Sequence, residues 1–188
     1  MVEAYLDRLT HFSPVSEKSR DLLKKHIYTG KVAKGDFILK YQEACNAIYF
    51  IESGFARQYY FKNGKDITEW FAGEQEFCFS ISSYFKNTPS NLMIEALEDS
   101  TVIYLDKKGF TSLTKTHLDL AQLAITMFSR SLIFSQERTE SILFQSAKDC
   151  YLNLLKKQPH ILQQVSLAHI ASFLGITQET LSRIRAKI

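Results

Sequence analysis

The closing stretch VSLAHIASFLGITQETLSRIRAKI (Val165–Ile188) reads as two short helices joined by a tight turn. Ser166 is a suitable N-cap for the first, and Leu167, Ile170, Ala171 and Leu174 recur on one helical face. Gly175 supplies the turn, with Ile176 tucked inward. Thr177 caps the second helix, and Glu179 falls in its first turn, where negative charge is favoured. Leu181, Ile184 and Ile188 form the inner stripe of that helix. Its opposite face carries Glu179, Ser182, Arg183 and Ala186, with Gln178 at the exposed tip. Small Ala171 lets the helices cross closely. The pattern predicts a helix-turn-helix, whose second helix enters the major groove of DNA. The alternative is a plain helical hairpin with a solvated outer face; turn, caps and charge agree against it.

The chemistry of the outer face suits base reading. Arg183 can grip guanine O6 and N7, Glu179 can accept from cytosine N4, Gln178 can address adenine, and Ser182 completes the face. Thr180, Arg185 and Lys187 flank it within reach of phosphates, which position without specifying. Charge follows the same division. The chain carries a formal +3. From residue 148 onward, Lys148, Lys156, Lys157, Arg183, Arg185 and Lys187 meet only Asp149 and Glu179, so the body is near neutral and the tail basic. Charge alone fits a polyanion contact or a solvated basic face equally well.

Upstream, Leu118 to Phe134 (LDLAQLAITMFSRSLIF) is helical and too apolar for a single buried stripe, so it has two faces to cover. One can close a β domain and the other can pair with a second copy; the alternative is a central helix within one monomer. Asp119, Gln122 and Arg130 interrupt the run, which excludes a membrane span. A further helix, Lys148 to Lys157, ends at Gln158-Pro159.

Lys31 to Asp106 has β texture: short runs at Val32, 37–39, 47–51, 55–61, 67–71, 92–94 and 102–105, separated by turn residues. Asn63-Gly64 suits a two-residue hairpin turn, with Phe55, Arg57, Tyr59 and Phe61 on one face and Ala56, Gln58, Tyr60 and Lys62 on the other. Before this, Glu3 to Tyr28 reads as two short helices broken at Ser13-Pro14. The predicted fold class is therefore α+β: an antiparallel β-roll (jelly roll) with flanking helices, a long dimerisation helix, and an all-α helix-turn-helix segment. The expected domains are 1–116, 117–145 and 146–188.

Composition removes other classes. At 188 residues, 45% hydrophobic and 23% charged, the chain is an ordinary globular protein with room for a real core. Cys45, Cys78 and Cys150 form no CxxC pair and read as reduced thiols, neither staples nor an iron–sulfur site. MVEAYLDRLT lacks a basic start and an apolar run, so a cytoplasmic location is the default. No histidine lies between Lys31 and Leu105, which removes the usual ligand of a metal-dependent cupin, and no nucleophile motif or phosphate loop occurs. An enzyme is not expected. His11, His26, His117, His160 and His169 lack a haem-supporting motif.

IASFLGITQETLSRIR resembles the helix-turn-helix of the Crp/Fnr family of bacterial transcription regulators, and the whole layout is similar to theirs. The resemblance implies that Gln178, Glu179 and Arg183 face bases while Thr180 contacts the backbone. It implies double-stranded DNA, a second copy through helix 117–145, RNA polymerase and a small-molecule effector of unknown identity as partners. Cyclic-nucleotide binders of the family present Gly-Glu-Leu, a short helix, then Arg-Ser/Thr-Ala. Here Gly73-Glu74-Gln75 keeps the first half, Ser90 stands near the arginine's place beside Asn91, and Leu132 and Ile133 stand where helix hydroxyls would meet the base. No Arg or Lys lies between Lys86 and Lys107. A buried phosphate without a cation is costly, so the pocket is expected to be degenerate, with no cofactor. Family members also carry a β-hairpin wing after the recognition helix, and a bare helix-turn-helix making fewer phosphate contacts is expected here. The expected function is a homodimeric transcription regulator reading a two-fold symmetric operator. The alternative is a ligand- or protein-binding signalling module that does not act through DNA.

Overall fold

The computed structural model describes residues 1–187, so Ile188 of the expected inner stripe lies outside the described residues. Two helices, α1 (Val2–Thr10) and α2 (Glu17–Lys24), precede eight strands: β1 (Ile27–Val32), β2 (Phe37–Leu39), β3 (Ala47–Ser53), β4 (Ala56–Lys62), β5 (Lys65–Ala72), β6 (Phe77–Cys78), β7 (Leu92–Ala96) and β8 (Ser100–Asp106). A short helix, α3 (Ile81–Lys86), is inserted between β6 and β7. The strands form two four-stranded sheets, ordered β1-β8-β3-β6 and β2-β7-β4-β5, with every pair antiparallel. The jelly-roll expectation holds.

Local chemistry accounts for the elements. At the β4–β5 turn, Asn63 and Gly64 have φ of 53° and 75°, the positive pair that a two-residue hairpin turn requires. Gly54, between β3 and β4, has φ +97°, and a Cβ there would come within 2.8 Å of the Ser100 backbone, so only glycine fits. The helix expected to reach Tyr28 stops at Lys24, because Ile27 and Tyr28 open β1 and pair with Leu105 and Tyr104. Tyr28 stacks on Tyr104 there at 4.7 Å.

The C-terminal half is helical: α4 (Lys107–Thr114), α5 (Leu118–Phe144), α6 (Ala147–Lys157), α7 (Ile161–Gln164), α8 (Leu167–Leu174) and α9 (Gln178–Arg185). The four-residue α7 lies where the sequence reading placed only a connecting segment. Two cores result. The first lies between the sheets and is closed by α1, α2, α4 and the buried side of α5, namely Leu120, Leu123, Ala124 and Met127. The second joins Phe55, Phe71 and Leu97 of the roll to Tyr151, Leu154, Ile161, Val165, Ile170, Phe173 and Leu181. Strand alternation creates this division. Ala56, Ile94 and Ala96 face the inner core, while Phe55, Arg57 and Tyr59 point outward and are buried beneath the C-terminal helices.

Candidate functional site

The two-helix unit is built as its caps dictate. Ser166 accepts a hydrogen bond from His169 N, and Thr177 accepts one from Thr180 N. Gly175 closes α8 in the left-handed region, φ 68°, and Ile176 N donates back to Ala171 O. Ile170, Ala171 and Leu181 are buried, with Leu167, Leu174, Ile176 and Ile184 packed against them. Phe173, absent from the expected inner stripe, is buried too. On α9, Gln178, Glu179, Ser182 and Arg183 are exposed together, with Arg185 and Lys187 exposed further along and Thr180 half-buried. The four expected base readers thus share one free surface. A hydrogen bond from the Thr177 side chain, with further help from its own backbone N–H and from Arg183, holds the Glu179 carboxyl below the usual range.

The helix-turn-helix rests on the roll. β5 is an edge strand, bulged where Gln58 pairs with Trp70 and Tyr59 with Thr68. Ser172 of α8 bonds to its backbone: its Oγ accepts from Thr68 N at 3.0 Å and donates to Asp66 O at 2.7 Å. Phe173 is held between Phe71, at 5.4 Å, and the Arg138 guanidinium, at 3.8 Å, and Arg138 also donates to the Phe173 carbonyl. Beneath α8, buried Arg57 binds Asp66 at 3.0 Å and Glu95 at 2.9 Å and stacks on Tyr59 at 3.9 Å. Burial first, and then the Arg57 charge, push His169 down from its ordinary range. The sequence reading put Arg57 on the correct strand face but gave it no ionic partner, since Asp66 and Glu95 come from two other strands, β5 and β7.

The expected pocket residues are not brought together. Gly73 and Glu74 occupy the turn between β5 and β6, where Glu74 is exposed and a Cβ on Gly73 would meet Phe55 of the outer core. The reason is topological: β6 intervenes between that Gly-Glu pair and α3, so the pair precedes the strand that leads into the short helix. The residue beside buried Ser90 is instead Ser80, immediately before α3, with hydroxyls 2.8 Å apart. A serine directly ahead of a helical run was the available signal. Asn91 is exposed, bonded to Gln42 and lining an open cleft of about 410 Å³ with Tyr41, Tyr60 and Phe61. Leu132 and Ile133 of α5 are 69% and 56% exposed, although Phe134 next to them packs on Trp70 of β5 at 6.1 Å.

A cyclic phosphate fits these residues poorly. Ser90 donates to Leu92 O and pairs with Ser80, and Ser83 donates to Thr88 O and accepts from Cys45 N, so the hydroxyls around α3 are mutually satisfied. Lys107, the nearest cation in sequence after this segment, is occupied by Tyr84 O and Asn87 Oδ1 at the end of α3.

Residues 29–117 match the family model described as the cyclic nucleotide-binding domain. No curated protein matches the sequence. Among solved structures, a candidate transcriptional regulator of the Crp/Fnr family from Eubacterium rectale is 18% identical, with a TM-score of 0.73 over 94% of this chain and 87% of that one. FixK2 from Bradyrhizobium japonicum is also 18% identical, with a TM-score of 0.74 over 86% and 83%. The c-di-GMP responsive global regulator CLP of Xanthomonas campestris is 15% identical, with a TM-score of 0.67 over 89% and 88%. Residues 29–117 are therefore similar to a cyclic nucleotide-binding domain, and the chain has the fold seen in these regulators. Among the described residues, no helix is long and apolar enough to cross a membrane.

Proposed function

We propose that this protein is a DNA-binding transcription regulator of the Crp/Fnr type, acting as a homodimer. The observation that carries the reading is the exposed α9 face, with Gln178, Glu179, Ser182 and Arg183 free on a helix whose other side is locked into a core. Arg183, Glu179 and Gln178 read base edges, and Arg185 and Lys187 meet phosphates. The second copy pairs along the outward side of α5, where Leu118, Ile125 and Leu132 stand exposed at seven-residue spacing. Two recognition helices then lie about 34 Å apart and read a symmetric site. The effector domain is the roll, tuned to a ligand other than an anionic cyclic nucleotide. A change there reaches α9 through α5 and through the Ser172 joint on β5.

The test is selection of bound sequences from a random duplex library by the purified protein. A two-fold symmetric motif with half-sites one turn apart is expected; no enrichment, with or without cell extract, overturns the reading. On the selected motif, Arg183→Ala costs about 1–3 kcal/mol of base discrimination, whereas Lys187→Ala weakens all sequences alike.

A further inference from the structure

Within the DNA-reading function proposed above, the recognition helix contains a hydrogen-bonded chain that involves Thr180. Arg183 Nη2 donates to Thr180 Oγ1 at 3.2 Å. Thr180 Oγ1 lies 3.2 Å from Thr177 Oγ1, which also accepts from Thr180 N at 3.2 Å. We propose that Thr180 is a positioning residue that sets the guanidinium of Arg183 toward its base.

The Thr180 hydroxyl offers two lone pairs and one proton, so it can receive Arg183 while pairing with Thr177. The chain runs from the guanidinium through two hydroxyls to the cap of the helix, each link polarising the next. The spacing supports it, since residues three apart are neighbours on a helix. A long arginine side chain held before binding loses less freedom when it docks.

The experiment uses the full chain and the operator recovered by selection. Wild type, Thr180→Val, Thr180→Ser, Arg183→Ala and the Val/Ala double variant are titrated against the operator and against symmetric single-base-pair substitutions, over a range of salt. Thr180→Val is expected to lose at least about fivefold in discrimination at the base pair read by Arg183, leaving other positions unchanged. Thr180→Ser restores it and Thr180→Val adds nothing in the Arg183→Ala background. Uniform weakening on every sequence overturns the assignment. So does full discrimination by Thr180→Val, or failure of Thr180→Ser to restore it. A wild type that reads no motif overturns the DNA-reading function itself, a result separable from a motif read normally without Thr180.

Discussion

Arg57 shows how much one side chain can hold in this protein. Its side chain is only 3% exposed and sits between Asp66 of β5 and Glu95 of β7, with Tyr59 beneath the guanidinium. Removing one member of such a cluster leaves charge buried without a partner, which costs more than the pair itself contributes. Arg57→Ala is expected to destabilise the fold by about 3–5 kcal/mol, seen as a lower urea midpoint. Arg57→Met, which fills the space without the charge, should differ from it most clearly when Asp66 and Glu95 are also neutralised. The sequence placed Arg57 on the same strand face as Phe55 and Tyr59, a matter of two-residue periodicity. It could not show that this face is covered, because the cover comes from α8, more than a hundred residues later.

At the scale of elements, α2 is fastened to the start of α5 by Asp119. One carboxylate oxygen receives Ser16 N at 3.0 Å and Ser16 Oγ at 2.9 Å, and the other receives Ser19 Oγ at 2.9 Å. Partial burial pushes this carboxyl up, but the bonds from Ser16, Ser19 and Leu120 together prevail and hold it at about 2. A carboxyl lowered by folding contributes stability above its ordinary value of 3.8, and that contribution is lost as pH falls toward about 2. Urea midpoints measured from pH 5 to pH 2 should therefore fall more steeply for wild type than for Asp119→Asn. Asp119 entered the sequence reading only as an interruption of an apolar run. Its partners lie on another helix, so nothing local to residue 119 revealed the role.

For the whole molecule, α5 divides its apolar residues between two tasks. Leu120, Leu123, Ala124 and Met127 are buried on the roll, whereas Leu118, Ile125 and Leu132 remain 76%, 66% and 69% exposed. On the proposed homodimer, Ile125→Asp with Leu132→Asp should shift sedimentation from two chains to one. Because both positions are exposed in the single chain, its thermal unfolding should hardly change. An unchanged two-chain mass in the variant would place the pairing surface elsewhere.

The sequence by itself determined what short-range rules govern. Caps at Ser166 and Thr177, the Gly175 turn, the Asn63-Gly64 hairpin and strand alternation all follow from backbone sterics and side-chain spacing within a few residues. Tertiary structure alone decided which residues meet across the chain. It placed Ser80 beside Ser90 and left Glu74 on an outer turn, because the intervening β6 changes the place of the Gly-Glu pair in the topology. It also joined the helix-turn-helix to the roll, since the unpaired edge of β5 and the hydroxyl of Ser172 are complementary groups that only folding brings within hydrogen-bond distance.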